Sequence, residues 1–240
     1  MHRATPTLSF ALIAAGLTAC SNSSGPAVGF ECLGQPLPTT APATIVINGQ
    51  VTDIVTHNAV SSAPVFAFRT GDTTTLAADT TTTPGFYSLT ISTRGTPVDG
   101  YVRVTESGHI TTYAYPAQPI TRDTVDNISM VTPAEFSLLA AAAGITPQPG
   151  KGFIGVLVKD CTGAAITGAT VSTTPAATVL YNVAGVPSSS ATATASDGIA
   201  YVANVTAGDV TVKASASGHT LRQHVVNARA DVITLTEIRP

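Results

Sequence analysis

Two stretches of this chain repeat one succession of alternating, β-branched segments and turns, which confines the fold to a narrow choice. Gly49-Gln-Val-Thr-Asp, Ala59-Val60 and Ala63-Pro64-Val65 recur as Gly155-Val-Leu-Val-Lys, Ala165-Ile166 and Ala169-Thr170-Val171, at a constant offset of 106 residues. Further on, Thr83-Pro84-Gly85-Phe86-Tyr87-Ser88-Leu89 is answered by Ser196-Asp197-Gly198-Ile199-Ala200-Tyr201, and Ser107-Gly108-His109 by Ser217-Gly218-His219. Each copy closes with another alternating segment, near Thr124–Met130 and Asp231–Ile238. A period of two with Gly or Pro turns at intervals of roughly ten residues predicts a sandwich of about seven strands per copy.

Between the copies lies the one segment with helical end signals, Val131 to Gly150. Thr132 and Glu135 form a capping box, Pro133 takes the first helical position, and Val131 with Phe136 makes a hydrophobic staple. Gly144 supplies the left-handed C-terminal residue. Three turns are too few to be stable alone in water, so the face of Phe136, Leu139, Ala140 and Ala143 must dock on something. A packed spacer is expected here, rather than a signalling hinge. The segments then read as a lipoprotein signal peptide over 1–19, a tether with Cys32 over 20–43, a first sandwich over 44–130, a helical connector over 131–150 and a second sandwich over 151–240.

The signal reading rests on His2 and Arg3, an apolar run from Leu8 to Leu17, and the closing Leu17-Thr18-Ala19-Cys20. The run is too short to span a membrane. The closing tetrapeptide resembles the bacterial lipobox, which implies lipidation at Cys20. Ser21 follows it, where an Asp would imply retention at the inner membrane, so the expected location is the outer membrane. Residues 21–43, rich in Ser, Gly and Pro, begin as a flexible tether and end along the folded body. With Cys20 lipidated, Cys32 and Cys161 remain in an oxidising compartment and are expected to pair. That bond would carry the N-terminal segment to the far sandwich, where bond and helix together would brace the junction.

Composition excludes some roles. A formal net charge of −3 with no Lys/Arg run argues against a nucleic-acid partner. No His/Cys spacing suits zinc, and Thr70–Thr83 lacks the regular oxygen ligands of a calcium loop, so neither metal nor cofactor is expected and the tract reads as a solvated edge. Ser-Gly-His reads as a turn with an exposed His109 or His219, because neither Gly108 nor Gly218 belongs to a nucleophile elbow. Scattered carboxylates show no acid–base pair, and no enzyme is expected. The best ligand hint is Tyr113-Ala-Tyr115, whose rings share a strand face and, with Tyr101 from a neighbouring strand, could stack on a sugar or an aromatic partner.

The residues Gly49, Val51, Asp53, Val65, Gly85, Tyr87 and Leu89, with Gly155, Ala169, Val171, Asp197 and Gly198 in the second copy, resemble the carboxypeptidase regulatory-like, transthyretin-related domain family. Asp160 stands one residue beyond the place that pattern gives it. The resemblance covers roughly residues 44–130 and 151–239 and implies an all-β fold of two tandem transthyretin/Ig-like sandwiches joined by one short α-helix. It also implies a non-catalytic accessory, adhesive or envelope role. The expected partners are the membrane, through the anchor at Cys20, and an envelope protein or polysaccharide.

Overall fold

A computed structural model describes residues 28–240. The lipobox and Cys20 lie outside the described residues. The first half carries β1 (Thr44–Asp53), β2 (Pro64–Arg69), β3 (Thr75–Thr80), β4 (Phe86–Ser92), β5 (Gly100–Val104), β6 (Thr112–Tyr115), β7 (Thr124–Val125) and β8 (Ile128–Met130). After α1 (Pro133–Ala142) come β9 (Lys151–Val158), β10 (Thr170–Thr174), β11 (Thr178–Val183), β12 (Val186–Ser188), β13 (Ile199–Thr206), β14 (Gly208–Ala216), β15 (His219–Thr220), β16 (His224–Ala228) and β17 (Ile233–Ile238). The protein is all-β with this one helix among the described residues.

Alternation sets which side of each strand is buried. In β1, Ile45, Ile47, Val51 and Asp53 face inward, and the three apolar ones meet Val65, Leu89, Ile91, Val102, Ile128 and Met130 in a first core. A second core gathers Ile154, Val156, Val158, Val202, Val212, Val226 and Ile238. Each such side chain stabilises by about 1.5–3 kcal/mol on burial, which makes these two clusters the main source of cohesion.

The copies share a topology. β1 pairs antiparallel with β4 and parallel with β7 and β8, as β9 pairs antiparallel with β13 and parallel with β17. One strand differs: β3 joins β2, whereas β11 joins β13.

The register of the repeat also needs a correction. Val51 N–H donates to Gly85 O and accepts at its own carbonyl from Val60, and Val158, not Leu157, does the same with Gly198 and Ile166. The structural offset on this strand is therefore 107 residues, which places Asp160 on Asp53 and Val156 on Gly49. The turn that follows is one residue shorter in the second copy: Asp53 N–H reaches Asn58 O, but Asp160 N–H reaches Ala164 O. That deletion restores the 106-residue offset at Val60 and Ile166. Matching Gly49 to Gly155 would have turned the core face outward.

The two halves are fused. β17 pairs parallel with β9 on one side and with β6 on the other, so β12-β11-β13-β9-β17-β6-β5-β2-β3 forms one nine-stranded sheet. Successive residues of β6 serve opposite cores: Ala114 belongs to the first and Tyr115 to the second.

The helix has the expected ends. Thr132 Oγ1 accepts from Glu135 N–H, Glu135 Oε2 accepts from Thr132 N–H, and Gly144 has φ +71°. Its apolar face docks on the second half: Phe136 meets Phe153 edge-on at 4.5 Å, and Ala143 packs with Leu180 and Ala203. The helix thus packs its apolar face on the second half, while Glu135 in its first turn reaches Asp53 of the first. Strand pairing and the Cys32–Cys161 disulfide join the halves more extensively. The bond closes with Cα atoms 5.7 Å apart, and Phe30 enters the second core nearby. The chain then crosses back, with Thr93 N–H donating to Ala43 O in the first half.

Candidate functional site

The outward face of the first half's larger sheet carries two cross-strand rows, fixed by register. One is Phe66, Arg103 and Tyr113; the other is Phe68, Tyr101 and Tyr115. Tyr101 stacks on Phe68 at 5.3 Å and lies 5.1 Å from Tyr115 and 5.7 Å from Tyr113. The expected clustering of the three tyrosines is therefore seen, with Tyr101 and Tyr113 half-buried and Tyr115 buried.

Tyr115 is 4% exposed and packs into the second core, where burial pushes its phenol up. Its hydroxyl accepts from Arg229 Nη1 at 3.1 Å. The same guanidinium sits 3.9 Å from the centre of the Tyr113 ring and 4.9 Å from that of Tyr101. A stacking face needs an open ring face, and Arg229 covers both rings. The tyrosines are the joint between the halves and not an open two-ring platform. Arg103 lies over Phe66 and Phe68 at 4.9 and 5.1 Å, and its Nε is buried without a hydrogen bond. Nothing local to Tyr113-Ala-Tyr115 pointed to Arg229, which stands 114 residues from Tyr115.

The Ser-Gly-His turns depart from expectation. Gly108 and Gly218 do have positive φ, but neither histidine is exposed. His109 lies between two carboxylates, with Nδ1 2.5 Å from Glu106 Oε2 and Nε2 3.3 Å from Asp53 Oδ2. Burial opposes ionisation of Asp53, yet hydrogen bonds from the Thr56 amide and hydroxyl and the Val55 amide outweigh it and hold the carboxyl down at about 2. Asp160 orders the equivalent turn, accepting from the Thr162 hydroxyl and amide and from the Ala164 amide. His219 packs on Phe30 at 4.8 Å, so it secures the N-terminal segment. His224, held down by burial, shares a hydrogen bond with Thr236. These side chains organise turns and contacts. Among the described residues no group of three His, Cys, Asp or Glu side chains is placed to hold a metal ion.

No family model and no curated protein matches the chain. Among solved structures it is similar to the Bacillus anthracis TIE protein, at 11% identity and TM-score 0.29, covering 81% of this chain and 33% of that one. It is also similar to a Streptococcal ancillary pilin, at 10% identity and TM-score 0.27, covering 82% of this chain and 62% of that one. BcpA, the major pilin subunit of Bacillus cereus, matches at 8% identity and TM-score 0.27, with 82% and 99% covered. The chain thus spans about a third of the first of these proteins and under two thirds of the second. Likeness of this size carries no argument about role.

Proposed function

We propose that this chain is a non-catalytic module of the bacterial cell envelope, anchored in the outer membrane through lipid on Cys20, with a structural or adhesive task towards an envelope protein. The observation that supports it is the fused build. The two cores share one nine-stranded sheet, and the N-terminal segment is cross-linked to the far half through Cys32 and Cys161. Force entering through the anchor would pass into the second half by a covalent bond and into the first through the β6–β17 ladder. Phe30, already part of the second core, stands ten positions after Cys20, which lets the body stand at most about 36 Å from the lipid. Asp53 and Asp160 are engaged in holding turns, and His109 in pairing with Asp53 and Glu106, which supports a role without catalysis.

Two measurements test this reading. Palmitate labelling in growing cells should mark the wild type and fail in Cys20→Ser; an unlabelled wild type refutes the anchor. The soluble 21–240 fragment should bind isolated envelopes saturably and lose that binding when envelope proteins are digested. Binding that survives protease and disappears on glycan removal would instead assign a polysaccharide partner.

A further inference from the structure

The outward face of β2, β5 and β6 carries two guanidiniums and no carboxylate. Arg103 covers Phe66 and Phe68, and Arg229 covers Tyr101 and Tyr113. Phe68 stacks on Tyr101 at 5.3 Å, so both cations sit on one ring cluster. Pro64, Thr105 and Thr111 continue the same face by strand parity and bring no charge. In a chain of net charge −3, this is a local excess of the opposite sign.

Neither guanidinium is neutralised within the chain. The ion pairs among the described residues take His109, Lys159 and Arg239 as their cations. Residues 1–27 contain no Asp or Glu. Asp209, across from Asn227 in the register of β14 and β16, is held by Asn227 Nδ2 at 2.8 Å. Arg229 uses Nη1 on Tyr115 Oη and Asn227 O, which leaves its Nε and Nη2 without an acceptor among the described residues. Arg103 has no acceptor there at all, and only its Nε is shut off from solvent. Two N–H-bearing nitrogens on each guanidinium therefore stay open to a ligand.

We propose that this face docks an extended acidic peptide segment of a partner protein, with two of its carboxylates pairing with Arg103 and Arg229. Charge complementarity selects an anion, and the planar guanidinium fork matches carboxylate oxygens. Stacking on the rings fixes each fork beforehand, so less freedom is lost on binding. The same stacking selects peptide over polysaccharide, because a sugar needs an open ring face and the two cations cover those faces here. That the partner is a protein rests on the envelope reading. The lipid anchor does not enter the argument, so palmitate labelling and peptide binding can fail separately.

The test is titration of the purified 21–240 fragment, which contains every described residue, with octaglutamate. Binding is followed by NMR at the arginine Nε–Hε resonances, with octaglutamine and octalysine as controls. Octaglutamate should bind saturably, shift the Arg103 and Arg229 resonances, and weaken several-fold between about 50 and about 300 mM salt. Neither control should bind. Arg103→Gln and Arg229→Gln should each weaken binding roughly fivefold or more. Arg122→Gln, at an exposed position away from these strands, should leave it unchanged. Arg103→Lys keeps the charge but loses the fork, and should fall between wild type and Arg103→Gln. Absence of saturable binding, equal binding of either control, unchanged affinity in either of the Arg103→Gln and Arg229→Gln variants, or an equal loss in Arg122→Gln would each overturn the proposal. Tighter binding of an oligogalacturonate of equal charge would overturn it in favour of a polysaccharide. If Arg229→Gln unfolds, Arg103→Gln and the shift of the Arg229 resonance in the wild type decide.

Discussion

A methyl group at Gly49 would lie 1.9 Å from the Asp126 carbonyl oxygen and 2.7 Å from the Tyr87 ring. The first is a backbone atom that cannot swing aside, so Gly49→Ala should cost roughly 3 kcal/mol or more, read from denaturant unfolding. Gly49 is required for close approach inside a strand, a long-range fact that no local pattern carries. Asp126 makes the same point from the side chain. Its acid is raised from its ordinary value of 3.8 to about 6 in the folded state. Between those values the unfolded chain has given up a proton that the folded chain keeps, so stability should fall as pH rises through this window. Asp126→Asn should therefore be the more stable protein at pH 7, by roughly 2 kcal/mol, with the difference vanishing near pH 3. Equal pH profiles for the two proteins in thermal unfolding would contradict this.

At the scale of elements, much was legible because it is local. The helix ends needed only Thr132, Pro133, Glu135 and Gly144, and the strands needed only their alternation. The register of the repeat was not, since the one-residue difference between the turns after Asp53 and Asp160 is visible only through hydrogen bonding. The Thr-rich tract is the edge that composition suggested, with β3 last in its sheet, but one residue departs from it. Thr81 is 3% exposed, and its hydroxyl links Val60 O to the Ala63 N–H. Thr194 repeats this link between Ile166 O and the Ala169 N–H. A polar tract reads as solvated until one knows which hydroxyl points inward. Thr81→Val and Thr194→Val each strip a buried N–H of its acceptor, so each should cost about 1–3 kcal/mol in chemical unfolding. Exposed Thr73→Val should change little.

For the whole molecule, the pairing of Cys32 with Cys161 was readable from compartment and count, and it does draw the N-terminal segment to the second half. The fusion was hidden, because β17 and β6 lie more than a hundred residues apart and both look like ordinary edge strands. The tyrosines followed from it: Tyr113 and Tyr115 looked free only while their neighbour across the joint, Arg229, was unknown. Rigidity of the pair is the central claim, and it is open to direct measurement. Spin labels at Thr73→Cys and Ser189→Cys, exposed positions in opposite halves, can be attached with the native disulfide intact and their separation read by double electron–electron resonance. One nine-stranded sheet predicts a single narrow distance distribution that keeps its mean and width when Cys32 and Cys161 are replaced by serine. A broad or two-peaked distribution in the disulfide-bonded protein would show the halves moving independently and contradict the account.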